Sequence, residues 1–245
     1  MLVLTFNRLD MVHITPRIVL RRKEISLQKS QHEEQKIHQQ KIQQFSAEDV
    51  QILSKETLYQ GFFKMVKYAF KHKLFEGGWS NVVTREVFER GHAIAVLPYD
   101  PVLDEFVLIE QVRIGALPTS SSPWLLEVVA GIIDAGETPE HVCYRETKEE
   151  AGLEIKKLHK ALSYLSSPGG TTERLHIYIG LVDASNAKGV HGLEYESEDI
   201  LVHRVPSSLA FDWLNQGKID NAAALIALQW FAMNKQQLLE NWSHD

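Results

Sequence analysis

Alternating apolar and polar residues mark the first ordered part of the chain. Residues 50–59 and 62–70 both alternate with the period of a β-strand. Gly77 and Gly78 indicate a turn, and residues 82–90 predict a third strand after it. Together these segments predict a small antiparallel sheet ahead of the main domain, and this sheet is too thin to be stable alone.

Longer apolar runs and helical periodicity begin at residue 93. Strands are predicted at residues 93–98, 106–113, 124–130, 156–164, 173–182 and 200–205. Helices are predicted at residues 138–152, 207–215 and 221–239. Strands that alternate with helices in this way predict the α/β class, with a mixed sheet inside an α/β/α sandwich.

The polar composition of the first 45 residues sets them apart. Residues 28–44 consist mainly of Gln, Lys, His and Glu, and the apolar positions are too few to bury much surface. We interpret residues 1–45 as a polar extension that is disordered or loosely helical. Residues 46–90 then form a small β subdomain, and residues 91–245 form the main domain.

Composition narrows the classes of function. The chain has 245 residues and a formal net charge of −6, which disfavours a surface for nucleic acid. Its single cysteine, Cys143, excludes an internal disulfide and suits a reducing compartment. No apolar run is long enough to span a membrane. We therefore predict a cytoplasmic protein that binds neither nucleic acid nor membrane.

The predicted helix at residues 138–152 has clear signals at both ends. The hydroxyl of Thr138 can cap the first turn, and Pro139 suits the first helical position because it has no N–H to leave unpaired. Gly152 can adopt the left-handed conformation that ends many helices. The segment thus predicts a helix of about three turns.

Three glutamates share one face of this helix. Glu146, Glu149 and Glu150 have i, i+3, i+4 spacing, so their carboxylates crowd together and repel each other. One interpretation is a solvated acidic face. The other is a site for a hard divalent cation, because Mg²⁺ prefers oxygen ligands.

The surrounding residues decide between these interpretations. The stretch 131–153 fits the pattern G-x5-E-x7-R-E-U-x-E-E-x-G-U, where U is a bulky aliphatic residue, with Thr147 at the first U position as the one departure. The matching positions are Gly131, Glu137, Arg145, Glu146, Glu149, Glu150, Gly152 and Leu153. This pattern resembles the signature box of the Nudix hydrolases. The resemblance implies Mg²⁺-dependent hydrolysis of a nucleoside diphosphate linked to another moiety, with Glu137 and Arg145 bracing the loop and the helix.

Further segments extend the resemblance from about residue 50 to the C-terminus. They are residues 85–92, 109–113, 167–171 and 191–199. Together they resemble the ADP-ribose pyrophosphatases of the Nudix superfamily. Pro168, downstream of the box, is similar to a proline that tends to mark these enzymes.

The resemblance implies a set of metal ligands and a general base. The implied ligands are the carbonyl of Ala130 and the carboxylates of Glu146, Glu149, Glu150 and Glu198. They would hold two or three Mg²⁺ ions, with Mn²⁺ as a substitute ion. The implied base is Glu196. If the acidic loop is extended, Glu194 shares a face with Glu196 and Glu198, so spacing alone does not choose among the three.

The resemblance also implies substrate contacts. They are Phe62, Phe63, Arg85, Arg113, Ile132, Ser167, Pro168, Gly169 and Glu173. Arg113 would bind the diphosphate, and its alternative role is a salt bridge on an exposed strand. Phe62 or Phe63 would stack on adenine in the partner subunit of a homodimer. Adjacent strand residues point to opposite faces, so at least one of the two phenylalanines is expected in the core.

The implied reaction is hydrolysis of ADP-ribose to AMP and ribose 5-phosphate. One alternative is hydrolysis of another nucleotide sugar, such as GDP-mannose or ADP-glucose, on the same scaffold. Another is a ligand sensor without catalysis, which the intact box disfavours. In the implied homodimer, residues 46–90 of each subunit pack on the other.

Overall fold

The computed structural model describes residues 42–244. Most of the predicted polar extension therefore lies outside the described residues. By their internal contacts, residues 42–53 and 70–83 form one compact unit, and residues 54–69 and 84–244 form another. The predicted domain boundaries at residues 45 and 90 stay predictions.

The first sheet confirms the predicted small antiparallel sheet. Its strands are β1 (Val50–Gln60), β2 (Lys64–His72) and β3 (Val83–Glu89), in the order β1-β2-β3. Gly77 and Gly78 both have positive φ angles in the turn between β2 and β3, which favours glycine there.

One expectation for this region is wrong. Phe62 and Phe63 do not lie in a strand, because the chain bends at residues 61–63 and β2 begins only at Lys64. The N–H of Gly61 donates to the carbonyl of Phe63 at 2.9 Å, which closes the bend. The side chain of Phe62 is 87% exposed, so strand alternation does not decide where these two rings point.

The second sheet has eight strands and is mixed, as predicted. Its strands are β4 (Ala93–Asp100), β5 (Glu105–Val112), β6 (Trp124–Glu127), β7 (Val129–Ile132), β8 (Lys157–Leu165), β9 (Arg174–Leu181), β10 (Val190–His191) and β11 (Ile200–Pro206). The order is β10-β11-β5-β4-β9-β8, with β6 on β5 and β7 on β4. Only the β4–β9 pair is parallel among the pairings described for this sheet.

The predicted strand at residues 124–130 is divided in two. Residues 124–127 pair with β5, whereas residues 129–132 pair with β4. Val128 is the point at which the chain changes partner, and its side chain is buried. This change of partner carries the chain from β5 to the middle of the sheet, directly before the signature box.

Three helices complete the sandwich. They are α1 (Pro139–Ala151), α2 (Ser207–Asn215) and α3 (Ala222–His244). On one side of the sheet, Val142 and Cys143 of α1 pack in one buried cluster. On the other side, Leu228 and Phe231 of α3 pack in a second. Every residue of β4 is buried between these layers, which confirms the α/β/α architecture.

The ends of α1 form as the sequence predicts. Thr138 Oγ1 accepts a hydrogen bond from the His141 N–H at 3.2 Å, and Pro139 is the first helical residue. Gly152 closes the helix in the left-handed conformation, with φ of +66°. The buried Cys143 packs in the core, and burial raises the pKa of its thiol. In the described part of the chain, no helix is long and apolar enough to cross a membrane.

Candidate active site

A cavity of about 1360 Å³ lies within the compact unit formed by residues 54–69 and 84–244. It is lined by the signature box, the acidic loop and the bend at residue 62. Most of the predicted site residues line it. They are Phe62, Phe63, Arg113, Ala130, Ile132, Glu146, Glu150, Glu173, Glu196 and Glu198. The predicted residues that do not line it are Arg85, Glu149, Ser167, Pro168 and Gly169.

A close approach between β7 and α1 places the first metal-ligand candidate. A Cβ atom on Gly131 would overlap the carboxylate of Glu146, so only glycine leaves room for this side chain. One strand position away, the N–H of Ala130 donates to Glu150 Oε2 at 3.0 Å. The box loop and α1 are therefore joined through two of the glutamates.

Glu150 is the most deeply buried of these carboxylates, with 3% of the residue exposed. Burial raises the pKa of Glu150 to about 8, against the lowering effect of the hydrogen bond from Ala130. The charges of Glu146 and Glu198 raise the pKa further. The negative charges of the helix and the acidic loop thus act on one another.

Glu146 behaves in the same way. Burial raises the pKa of Glu146 to about 7, Arg145 opposes the shift, and Glu149 and Glu198 add to it. Two neighbouring carboxylates whose pKa values both lie near or above neutrality indicate excess negative charge in a poorly solvated place.

Arg145 ties the glutamates of the box together. Its Nη1 donates to Glu146 Oε1 at 2.8 Å and to Glu149 Oε2 at 3.0 Å. Its Nε donates to Glu137 Oε1 at 3.2 Å. Glu137 also accepts the N–H of Asp134 at 3.2 Å. These contacts connect the loop to the helix, which is the bracing role that the resemblance implies.

The donor set suits a hard cation. Within residues 42–244, no three His, Cys, Asp or Glu side chains are already arranged as a metal cluster. The candidate ligands are nevertheless all oxygen atoms, and two of the carboxyl groups have pKa values raised first by burial and then by neighbouring negative charge. A Mg²⁺ ion would relieve this repulsion, so the residues fit the ion.

The acidic loop is not extended, so the condition under which Glu194 would share a face with Glu196 and Glu198 is not met. Residues Glu194–Glu196 form a 3₁₀ turn, and Ser197 follows with a positive φ of 58°. Glu196 and Glu198 line the cavity, whereas Glu194 does not. The turn therefore places Glu194 away from Glu196 and Glu198. The spacing of the three residues in the sequence could not show this difference.

The base of the loop is attached to the end of α1. The N–H of Gly192 donates to the carbonyl of Glu149 at 3.3 Å. Leu193 donates its N–H to Glu198 Oε2 at 3.1 Å, which orients that carboxylate. Tyr195, an exposed aromatic residue that sequence reasoning did not select, also lines the cavity.

The far end of the cavity contains aromatic and charged groups. The Arg90 guanidinium lies 5.2 Å from the ring centre of Phe63, and its Nε lies 3.1 Å from Glu173 Oε1. Phe63 also packs edge-on against Phe88, with ring centres 5.2 Å apart. Arg90 was not predicted from the sequence, although it lies within the matching segment 85–92.

Arg113 lies just after β5 and lines the cavity from another side. Its Nε donates to Glu127 Oε2 at 2.9 Å, so it also forms the salt bridge considered as its alternative role. Glu127 lines the cavity too and was not predicted. Its only sequence signal is a charge at the end of the apolar run Trp124–Leu126.

The predicted residues outside the cavity lining have other surroundings. Arg85 lies exposed on β3, where its Nη1 donates to the Thr84 carbonyl at 2.8 Å. Ser167, Pro168 and Gly169 form an exposed turn, in which the Ser167 carbonyl accepts the N–H of Gly170 at 2.9 Å. Their predicted contacts with substrate stay predictions.

Comparisons with known proteins agree with this geometry. A family model described as the NUDIX domain matches residues 89–234. The chain is 55% identical over 199 residues to the ADP-ribose pyrophosphatase of Escherichia coli strain K12, covering 81% of this chain and 95% of that protein. It is 52% identical over 204 residues to the ADP-ribose pyrophosphatase of Haemophilus influenzae, covering 82% and 94%.

More distant relatives share the fold. The GDP-mannose pyrophosphatase of Pectobacterium atrosepticum is 33% identical over 190 residues, which cover 75% of this chain and 97% of that protein. A crystal structure described as an ADP compounds hydrolase aligns with a TM-score of 0.60 and 22% identity, over 79% of this chain and 98% of that one. At that identity the structural match supports the fold alone.

Proposed function

The chain belongs to the Nudix family and is a pyrophosphatase, and we propose that it hydrolyses the diphosphate of ADP-ribose to AMP and ribose 5-phosphate. The main support is the 55% identity to an ADP-ribose pyrophosphatase over 95% of its length. The cavity adds support, because it combines crowded carboxylates, an arginine and exposed aromatic rings.

We infer that Mg²⁺ is the cofactor, with Mn²⁺ as a substitute. The Ala130 carbonyl and the carboxylates of Glu146, Glu149, Glu150 and Glu198 would hold two or three ions. Bound there, the ions would polarise the phosphoanhydride and lower the pKa of a bound water. Glu149 is the outlying ligand candidate, since its carboxylate is paired with Arg145 and does not line the cavity.

Glu196 is the proposed general base. Its carboxylate is exposed in the 3₁₀ turn and lines the same cavity as Glu146 and Glu150. It would accept the proton of the attacking water. A positioned carboxylate typically contributes about 10²–10⁴-fold to the rate.

The remaining groups would hold the substrate. Arg113 would offset the charge of the diphosphate, because a guanidinium presents a planar fork of donors to phosphate oxygens. Phe62 and Phe63 would stack on adenine. Ile132, just inside the box, would line the substrate pocket, and Arg85 would reach the substrate from the first sheet. Ser167, Gly169 and Glu173 would lie near the terminal ribose, and Pro168 is a further proposed contact in the same turn.

The proposed assembly is a homodimer in which residues 46–90 pack on the partner. Every residue of β1 is exposed, including Leu58 and Tyr59, and Phe62 is exposed in the following bend. An exposed apolar strand is an expected docking surface. Deletion of residues 1–45 should leave both dimer and activity intact by light scattering and rate assay. A fully active monomer at the assay concentration would refute the dimer.

A substrate panel tests the proposed activity. Initial rates with Mg²⁺ should be measured for ADP-ribose, GDP-mannose, ADP-glucose and NADH, with identification of the products. We expect ADP-ribose to have the highest kcat/KM and to yield AMP. A preference for GDP-mannose would reject the proposed substrate and leave the pyrophosphatase class standing. The cytoplasm stays the predicted compartment, since the lone Cys143 suits reducing conditions.

A further inference from the structure

We propose that Glu127 is a positioning residue for Arg113. Its carboxylate holds the guanidinium by the Nε–H and keeps both Nη groups available to the diphosphate of the substrate. This inference rests on the proposed function, in which Arg113 binds that diphosphate. It assigns a purpose to a buried carboxylate that neither the signature box nor the acidic loop contains.

The side chains of Glu127 and Arg113 meet across β5 and β6, although their backbones are not paired with each other. Glu127 lies at the end of β6, opposite Ile109 of β5, and Arg113 follows the end of β5. The side chains meet at 2.9 Å, from Arg113 Nε to Glu127 Oε2. The main chain of Arg113 is held as well, because its N–H donates to the Pro123 carbonyl at 2.7 Å. Both ends of this arginine are thus held in place.

Which nitrogen of Arg113 bonds to Glu127 determines which nitrogens remain for the diphosphate. A guanidinium has five N–H groups, one on Nε and two on each Nη. Across residues 42–244, the side chain of Arg113 makes a hydrogen bond only through Nε. The four Nη–H groups remain for another acceptor, and Arg113 lines the cavity. A bidentate contact with phosphate oxygens needs this orientation.

Burial makes the pairing more than a loose surface contact. Only 13% of the Glu127 side chain is exposed, against 44% for Arg113. Burial raises the pKa of Glu127, and the charge and hydrogen bond of Arg113 oppose that shift. A carboxylate at such a place needs a charged partner, so the pair holds the arginine firmly.

Gln111 provides a second, independent observation. It is 7% exposed. Its Nε2 makes no hydrogen bond of standard geometry in the part of the chain that the structure describes, but its amide lies close enough to Glu127 to lower the pKa of that carboxyl. Because Gln111 pairs with Leu125 and Ile109 with Glu127, the amide and the carboxylate lie on the same face as diagonal neighbours. The amide of Gln111 is a hydrogen-bond donor next to the carboxylate of Glu127, so it favours one orientation of that carboxylate.

A second arginine–glutamate pair that involves β5 serves as a matched control. Arg204 Nε donates to Glu105 Oε2, also at 2.9 Å, and this pair joins β11 to β5. Neither residue lines the cavity. If Glu127 were only a strand-to-strand salt bridge, Glu105→Gln and Glu127→Gln would have equal effects on catalysis.

The first experiment compares Glu127→Gln, Glu127→Asp and Glu105→Gln. We expect Glu127→Gln to raise the KM for ADP-ribose about tenfold, with no change in the Mg²⁺ concentration for half-maximal rate. Glu127→Asp should behave similarly, because it keeps the charge and loses the reach. Glu105→Gln should change KM by less than about twofold. The affinity for the α,β-methylene analogue of ADP-ribose, which is not hydrolysed, should be measured by calorimetry in EDTA. The three variants should rank in affinity as they do in KM.

A double-mutant cycle with Arg113→Lys decides whether Glu127 acts through Arg113. Lysine has neither the Nε–H that Glu127 accepts nor the fork of Nη groups. In the Arg113→Lys background, Glu127→Gln should therefore raise the KM for ADP-ribose by less than about twofold. Full additivity, or unchanged analogue binding in both Glu127 variants, would overturn the inference. If the wild-type protein does not hydrolyse ADP-ribose, the proposed function fails instead, and the panel shows this separately.

Discussion

The imidazole of His191 occupies the space that a side chain on Gly152 would need. A Cβ atom built on Gly152 would lie 2.5 Å from His191 Cε1. Gly152 ends α1, and His191 begins the loop that contains Glu196 and Glu198. This contact, together with the hydrogen bond from the Gly192 N–H to the Glu149 carbonyl, determines how closely the acidic loop approaches the carboxylates of the helix.

We predict that Gly152→Ala destabilises the protein and lowers its activity. Alanine at a φ of +66° costs about 1 kcal/mol, and its methyl group must also push the His191 ring away. Urea unfolding should show a loss of more than that amount. The turnover rate should fall because the loop shifts.

Gly217→Ala separates the two causes. Gly217 has a φ of +70° after α2, but a Cβ there would meet nothing within 4 Å. This control should lose only the backbone contribution to stability and keep full turnover. Equal effects of both substitutions on turnover would show that the His191 contact does not position the loop.

The three glutamates of the acidic loop should differ when each is changed to Gln. Glu196→Gln should lower kcat by about 10²–10⁴-fold with little change in Mg²⁺ dependence, because the amide keeps the shape but accepts no proton. Glu198→Gln should raise the Mg²⁺ concentration needed for half-maximal rate. Titration of the initial rate with Mg²⁺ distinguishes the two outcomes.

Glu194→Gln is the matched control, because Glu194 lies in the same 3₁₀ turn and outside the cavity lining. Its kcat should stay close to the wild-type value. A large fall in kcat for Glu194→Gln would mean that the roles of the three glutamates are assigned to the wrong positions along the loop. If none of the three matters, the base must lie on α1, most plausibly Glu149.

Glu150→Gln should abolish most activity without loss of folded protein. The amide oxygen can still accept the N–H of Ala130, but it binds Mg²⁺ more weakly than a carboxylate. Burial raises the pKa of Glu150 from 4.5 to about 8, so metal-free wild type should lose stability as pH rises through that window. The variant loses the contribution of Glu150 to this pH dependence, whereas the contribution of Glu146 remains. Near wild-type turnover at saturating Mg²⁺ would exclude Glu150 as a principal ligand.

Tyr178→Phe tests a hydrogen bond at the other end of α1. The hydroxyl of Tyr178 donates to Glu140 Oε1 at 2.7 Å and lowers the pKa of that carboxyl. Its loss should cost about 1 kcal/mol at neutral pH. Because the pKa of Glu140 is lowered on folding, the stabilisation is present above 4.5 and is lost as pH falls through the folded pKa.

Unfolding of both proteins at pH 7 and pH 3 checks this prediction. The difference in stability should be largest at pH 7 and should be smaller at pH 3, because it shrinks as pH falls toward and through the lowered pKa of Glu140. Tyr144→Phe is a suitable control, since Tyr144 lies on the same helix as Glu140 and its side chain is exposed. A pH-independent difference would show that the charge of Glu140 contributes nothing.

Helix α1 could be predicted to within a residue because its signals are local. Thr138, Pro139 and Gly152 each act on their own turn of the backbone, without help from the rest of the fold. The crowding of Glu146 and Glu150 follows from helical spacing in the same way. What spacing could not provide is the backbone conformation of Ser197, a left-handed residue that is not glycine, which turns Glu194 out of the cavity.

Residues that act across strands were missed for a related reason. Glu127 reaches Arg113 only because β6 pairs with β5 in one register, and Arg90 reaches Glu173 only once the sheet has formed. Both contacts join positions that are far apart in the sequence. The family resemblance supplied Arg113 and Glu173, but a partner defined by register has no local pattern.

The parallel pairing of β4 with β9 sets the order in which this enzyme can become active during folding. Ala93 pairs with Leu175, about 80 residues further along the chain, and α1 lies entirely within that span. Closing so long a loop costs entropy that no local turn offsets. Because α1 lies between β4 and β9 and the acidic loop follows β9, we expect the carboxylates of both to come together only after the centre of the sheet has closed. Recovery of hydrolysis in a refolding experiment would report this late, long-range step rather than the early formation of the helix.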